Sequence, residues 1–153
     1  MKIGVKPYPS CRYTHAAIDA IVALRREHNL TPDQVKRVEI GLHRNGITLT
    51  GDAATKRHPT SIVGGQFSMF FTGALALDQG RFGWDDYTRL GDKAINALAD
   101  KFDVVQDDRL EVGRSHPFGA RVTITTEDGM HERLHDDPSG EPTSFPSAQA
   151  MSD

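Results

Sequence analysis

The residues best suited to chemistry stand close together near the start of the chain, where Lys6, Cys11, Arg12 and His15 fall within Lys6-Pro7-Tyr8-Pro9-Ser10-Cys11-Arg12-Tyr13-Thr14-His15. Pro7 and Pro9 fix their own φ and push the residue before each toward extended backbone, so Lys6 is presented on a stiff arm. Thr14 is of a type that caps a helix. That puts Arg12 and His15 where unpaired backbone N–H groups and the positive end of a helix dipole begin. Together these features make a small anion site, for which carboxylates and phosphates are the usual guests.

Each of these residues has a chemical role and a plainer alternative. Lys6 binds a carboxylate by charge in the first reading and is a solvated surface lysine in the second. Arg12 offers a planar fork to two carboxylate oxygens; the residues favour a structural ion pair with Asp19 or Glu39 instead. His15 sits in the first turn, where the dipole disfavours the imidazolium and leaves a neutral ring able to give or take a proton. Its structural alternative is a hydrogen bond to a backbone carbonyl. Cys11 has cations nearby that favour the thiolate, while a small, half-buried filler is the competing reading. His15 and Asp19 share a helix face, but two ligands do not make a metal site, and the remaining histidines show no ligand spacing. No Gly-rich phosphate loop, nucleophile elbow or CxxC pair is present. The expectation is a site without metal or cofactor.

The elements that must hold these residues follow from periodicity. A helix opened by Thr14 runs to about Glu27, with Ala17, Ile18, Ile21, Val22 and Leu24 as its apolar stripe. Thr31-Pro32-Asp33-Gln34 reads as one helical turn with a capping box. Alternation of Val38, Ile40 and Leu42 with Arg37 and Glu39 predicts a strand from Val35 to His43. Residues 44–60 lose all pattern and read as a long loop carrying the one dense basic cluster, Lys56-Arg57-His58. Phe67, Phe70, Phe71, Ala74 and Leu75 predict a very apolar helix from Gln66 to Leu77, stopped by Gly80. Two short helices capped near Asp85 and Asp92 follow, separated at Gly91, and then a strand over Phe102–Gln106. His116-Pro117-Phe118-Gly119 reads as a turn. A hairpin turning at Asp128-Gly129 joins strands around Val122–Ile124 and Met130–Leu134, with His131 and His135 facing solvent. The fold class expected is α+β, an antiparallel or mixed sheet of about four strands with helices on one face. Residues 1–137 form the domain, and 138–153 an exit loop or partly disordered tail.

Composition narrows the function classes. A chain of 153 residues suits one domain, and its net charge of −3 gives no bulk attraction to nucleic acid or anionic membrane. A single cysteine rules out an internal disulfide and suits a reducing compartment. No apolar run approaches the ~20 residues of a membrane span, and the first residues lack the order of a signal peptide. A cytoplasmic protein is expected.

The opening segment, KPYPSCRYTHAAIDA, resembles the start of the second domain in the MmgE/PrpD family, which includes 2-methylcitrate dehydratase. The stretch from Gly65-Gln66-Phe67-Ser68 to Ala76-Leu77-Asp78-Gln79-Gly80 resembles that domain's buried helix. Arg121 to Gly129 and then Asp137-Pro138-Ser139-Gly140-Glu141-Pro142 resemble its hairpin and exit loop. The resemblance implies that Lys6 lies in an active-site cleft. It also marks Cys11 as standing where some relatives carry a catalytic histidine, and Phe71 near a position where others use a tyrosine. The implied activity is a cofactor-independent lyase removing water from a tricarboxylate, with Lys6 and Arg12 binding substrate and His15 and Cys11 as catalytic candidates. Decarboxylation or epimerisation of related di- and tricarboxylic acids is an alternative within the family.

Water loss next to a carboxylate needs a base, an acid for the leaving oxygen, and cations on the carboxylates. The chain supplies cations and one histidine without an obvious acid–base pair. In the family a larger helical domain carries much of the rest, and full-length members are expected to be homodimers. The chain is therefore expected to be an isolated second domain, an excised fragment or truncated product, that binds a carboxylate with little turnover. The rival reading is a non-catalytic interaction or dimerisation module, supported by an apolar Phe67–Leu77 helix left exposed without its usual neighbours.

Overall fold

Alternating apolar residues commit Val35–Leu42 to a strand, and the sheet is assembled around it. A computed structural model describes residues 8–110 and 118–135 of the chain. In it β1 (Val35–Leu42) runs parallel to β2 (Phe102–Gln106) on one side and antiparallel to β3 (Ala120–Thr126) on the other. β3 turns through Glu127-Asp128 into antiparallel β4 (Gly129–His135), so the order is β2-β1-β3-β4. The register sets Val38 beside Phe102 and Ile124, and Ile40 beside Val104 and Val122. One sheet face is thereby apolar and fully buried at Val38, Ile40, Leu42, Val122 and Ile124. The other carries Arg37, Glu39, Arg121 and Thr123. The sheet is mixed and the fold α+β, as the sequence predicts.

The first helix, α1 (His15–His28), packs on β3 and β4, and ends at Asn29 in the left-handed conformation (φ 56°). The capping box at Thr31-Gln34 forms as expected.

Residues 44–60 depart from the expected loop. Two short helices occupy them, α2 (Arg44–Thr50) and α3 (Ala53–Lys56). His43 Nδ1 accepts from the Asn45 amide at 3.1 Å, and Asp52 caps α3 by accepting from Ala54. Gly46, a breaker in the sequence reading, is a close-packing residue instead: a Cβ there would lie 2.9 Å from the Tyr13 ring.

The helix expected over Gln66–Leu77 is divided. α4 (Ile62–Gln66) ends before Phe67, and α5 (Met69–Gln79) begins after Ser68, whose hydroxyl accepts from the Phe71 amide at 3.0 Å and donates to the Lys56 carbonyl at 2.5 Å. Phe67 falls in the break and is 36% exposed, whereas every residue from Met69 to Leu77 is buried. The exposed apolar helix invoked for an interaction module is therefore the most enclosed element of the fold. Gly80 stops it at φ 74°.

A 3-10 segment, Trp84–Arg89, follows. Its capping carboxylate is Asp86, next to Asp85 near which the cap was expected, and it accepts from the Gly83 amide at 2.7 Å. Asp92 caps α6 (Lys93–Ala99) by accepting from Ala94 and Ile95, after a break at Gly91 with φ 83°.

The basic cluster is taken apart by the fold. Arg57 donates to the carbonyls of Ala99 and Phe102, both at 2.9 Å, and lies 4.6 Å from the centroid of the Phe70 ring. His58 pairs with Asp100 at 2.7 Å, and Lys56 lies over Phe67. No described helix is long and apolar enough to cross a membrane. The expected tail at 138–153 and the first half of the His116–Gly119 turn lie outside the described residues.

Two tests follow from the packing. A Cβ on Gly73 would sit 2.7 Å from Cε2 of fully buried Phe102, so Gly73→Ala destabilises by about 1–3 kcal/mol through overpacking, read from urea denaturation midpoints. The second concerns Asp92. Burial pushes its pKa up, but the hydrogen bond from Arg89 and those from the Ile95 and Ala94 amides outweigh this and hold it below the ordinary value. Asp92→Asn keeps a capping oxygen and loses the charge. The wild-type advantage over Asp92→Asn is then complete above the ordinary carboxylate range and disappears as pH falls through the depressed folded-state pKa, measured by denaturation across that range.

Candidate functional site

The proline-braced segment is a strap laid across the start of α1. Each of three consecutive residues is tied down by its backbone: the Pro9 carbonyl accepts from Tyr87 Oη at 2.5 Å, the Ser10 carbonyl from His15 Nε2 at 3.0 Å, and the Cys11 amide donates to the Gln66 carbonyl at 2.8 Å. A 3-10 turn, Arg12–Thr14, leads straight into α1.

Thr14 does not act as the expected side-chain cap. Its backbone is already helical (φ −89°, ψ −17°), and its hydroxyl turns back to donate to the Cys11 carbonyl at 2.7 Å, also 2.7 Å from Ser10 Oγ. The helix needs no cap there because the preceding turn has already engaged the chain.

His15 is 1% exposed. A carbonyl only accepts, so Nε2 must carry the proton that bonds Ser10. The Tyr8 ring stands edge-on to the imidazole, centroids 5.3 Å apart, and also stacks near Phe82. Burial, then the charge and hydrogen bond of Asp19, push the Tyr8 pKa far up. Its hydroxyl therefore stays protonated and donates to the Asp19 carboxylate. Burial likewise raises Tyr87.

In front of this layer opens a cleft of about 370 Å³. Tyr8, Pro9, Ser10 and Cys11 form one wall, Gln66 and Phe67 from the α4–α5 junction a second, and Gly83 and Trp84 a third. Cys11 lines it half-buried. The structure thus brings Cys11 and His15 together at the start of α1, with Cys11 among the cleft's lining residues and the His15 imidazole buried outside that lining. Arg12 lies with its guanidinium carbon 5.8 Å from the Phe118 ring centroid. Of the carboxylates considered as its partners, Glu39 meets Arg121 at 3.0 Å and Arg37 at 3.7 Å, and Asp19 meets Tyr8 and His135. Lys6 lies outside the described residues.

His131 and His135 do not simply face solvent, as the alternation suggested. The register puts them opposite Ile124 and Ala120, on the sheet face covered by α1. His131 stacks on His28 with ring centroids 3.8 Å apart, beside a hollow of about 500 Å³. His135 Nε2 lies 3.4 Å from Asp19 Oδ2.

Sequence reasoning missed Tyr8 and Asp19 as partners, although the i, i+4 spacing of His15 and Asp19 marked a shared face. It also missed Arg121. This residue is 8% exposed and its side chain donates to Asp107 at 2.6 Å and Thr123 at 2.9 Å while pairing with Glu39. Burial works against its charge, and the bonds from Asp107 and Glu39 overcome that and raise its pKa. Among the described residues no three His, Cys, Asp or Glu side chains are grouped to hold a metal.

Fold and cleft together define a small α+β domain whose candidate chemistry lies along a strap at the start of its first helix. Residues 8–150 match the family model of the MmgE/PrpD C-terminal domain, and the chain belongs to that family. No curated protein matches the chain significantly.

The bond between His15 and Ser10 yields a prediction about the strap's stability. His15→Ala leaves the carbonyl of buried Ser10 without its imidazole donor, which costs about 1–3 kcal/mol in chemical denaturation.

Proposed function

We propose that this domain is the carboxylate-binding lid of a cofactor-independent lyase resembling 2-methylcitrate dehydratase, acting on a tricarboxylate and inactive without a helical partner domain. One observation carries the reading: the strap that follows Lys6 and leads into α1 walls a cleft, with Cys11 among its lining residues. In this reading Lys6 and Arg12 hold substrate carboxylates, which are stabilised by charge and by the nearby helix origin.

His15 and Cys11 divide the remaining roles. The buried imidazole, with Nε2 donating to Ser10, keeps the strap's shape and lies one layer from the cleft. Cys11, the group at the cleft wall, is the one that meets substrate. No acid–base pair faces the cleft from the described residues, which supports assigning the rest of the chemistry to another domain. The half-site reading is also supported by apolar residues left open around the cleft: Trp84 is 65% exposed, and α4, whose end forms a cleft wall, exposes Ile62 and Val63 at 51% and 64%. Such a rim suits coverage by an apolar surface. Cytoplasmic location and homodimerisation of the full-length protein belong to the same proposal.

Calorimetry with citrate and 2-methylcitrate tests it. Binding is expected, with at least tenfold loss in Lys6→Ala, the scale of one charge-assisted contact of about 1.4 kcal/mol. An assay for water loss from 2-methylcitrate should show no turnover by these 153 residues. Absence of binding together with concentration-dependent association would favour the interaction module, and robust turnover would overturn the half-site.

A further inference from the structure

Pro9, Ser10 and Cys11 are each fixed through their own backbone, by Tyr87, His15 and Gln66 respectively. Tyr8, the first described residue of the strap, accepts from the Ser10 amide within the strap at 2.9 Å and reaches the rest of the fold through its side chain. Its amphipathic ring rests against His15 and Phe82, and its hydroxyl ends on one carboxylate, Asp19 of α1. The other oxygen of that carboxylate faces His135 at the end of β4, 3.4 Å away. His135 Nε2 is buried and forms no hydrogen bond among the described residues, so Asp19 is the charge it faces. Asp19 itself has a side chain only 13% exposed, which strengthens its interactions with both neighbours.

We infer that Asp19 is a positioning residue for the cleft: a carboxylate latch that joins strap, helix and sheet, and sets where the strap places Cys11. The inference deepens the proposed carboxylate site and depends on that reading for the purpose of the cleft. The latch itself does not depend on it. Tyr8 remains a donor at all ordinary pH because burial and Asp19 both oppose its ionisation. Releasing the Tyr8 hydroxyl removes the hydrogen bond that ties this end of the strap to α1, while the Tyr8 carbonyl keeps its bond from the Ser10 amide and the backbone ties of residues 9–11 remain.

Cys11 is the sole cysteine of the chain and lines the cleft, so its alkylation by iodoacetamide reports directly on the strap. Tyr8→Phe, which keeps the ring and removes the donor, and Asp19→Asn, which keeps an acceptor and removes the charge, should each raise the alkylation rate. About tenfold is expected for Tyr8→Phe, the factor equivalent to ~1.4 kcal/mol of lost latch. The double variant should gain little beyond Tyr8→Phe, because both changes cut one connection. Gly73→Ala is the control: it strains the core against Phe102 without touching Tyr8 or Asp19, and should leave the Cys11 rate within twofold in native buffer. Rates within twofold of wild type in both Tyr8→Phe and Asp19→Asn overturn the latch, as does an equal rise in Gly73→Ala, which would report general loosening. Citrate binding separates the two readings. Raised thiol rates without any citrate binding sustain the latch and defeat the carboxylate site; citrate binding with unchanged thiol rates does the reverse.

Discussion

The fold depends on burying α5 whole. A helix apolar on every side gains much by enclosure, but enclosure also removes water from the amides at its start and the carbonyls at its end. The start is answered by the residue just before the helix and the end by a side chain from α1. Ser68 accepts from Phe71 and donates to Lys56, which ties α3 to the helix origin. At the far end Gly80 takes the left-handed conformation while Arg25 donates to the carbonyls of Leu77 and Asp78 at 2.8 and 3.3 Å. Arg25 belongs to α1, so satisfying α5 fixes α1 beside it. The cleft inherits its walls from this arrangement, since the strap leads into α1 and Gln66 and Phe67 lead into α5.

The same demand explains where the cations go. Arg25, Arg57 and Lys101 all donate to backbone carbonyls, at the end of α5, the end of α6 and the start of β1. A buried carbonyl without a partner costs more than a surface ion pair returns, so long basic side chains are drawn inward along apolar surface with their heads on those oxygens. A run such as Lys56-Arg57-His58 thus reads as an electropositive patch in one dimension and becomes three separate contacts in three.

What the sequence made legible was whatever depends on neighbours in the chain. The alternation around Val38–Leu42 and the Thr31–Gln34 capping box each require only a few adjacent residues and appear where expected, and the hairpin turn expected at Asp128-Gly129 falls one residue earlier, at Glu127-Asp128, with Gly129 opening β4. Residues 44–60 failed because their helices are short and held by caps at His43 and Asp52 and by close packing at Gly46, none of which leaves an apolar period. The Gln66–Leu77 helix was drawn too early because Phe67 continues the apolar spacing, although Ser68, three residues before Phe71, carried the capping signal. At the site, strap and helix origin were legible as a local pattern. Tyr87 to Pro9 spans 78 positions and His135 to Asp19 joins the last described strand to the first helix. No local period encodes such pairs.

The two candidate catalytic residues also show why a chemical residue type is weaker evidence than its surroundings. A general base has to reach a substrate proton within hydrogen-bond distance or through one water. His15 is enclosed by Tyr8, the strap and α1, and its Nε2 holds the Ser10 carbonyl. Its effect on a ligand passes through the strap's shape. Cys11 has a different environment: its amide is anchored to Gln66, and the half-buried residue lines the cleft. Backbone anchoring with side-chain exposure is the arrangement that lets a group act at a defined position without a large ordering cost on binding. Within this strap the imidazole builds the wall and the thiol is presented by it, and the carboxylate of Asp19 decides how firmly the wall's leading edge is held.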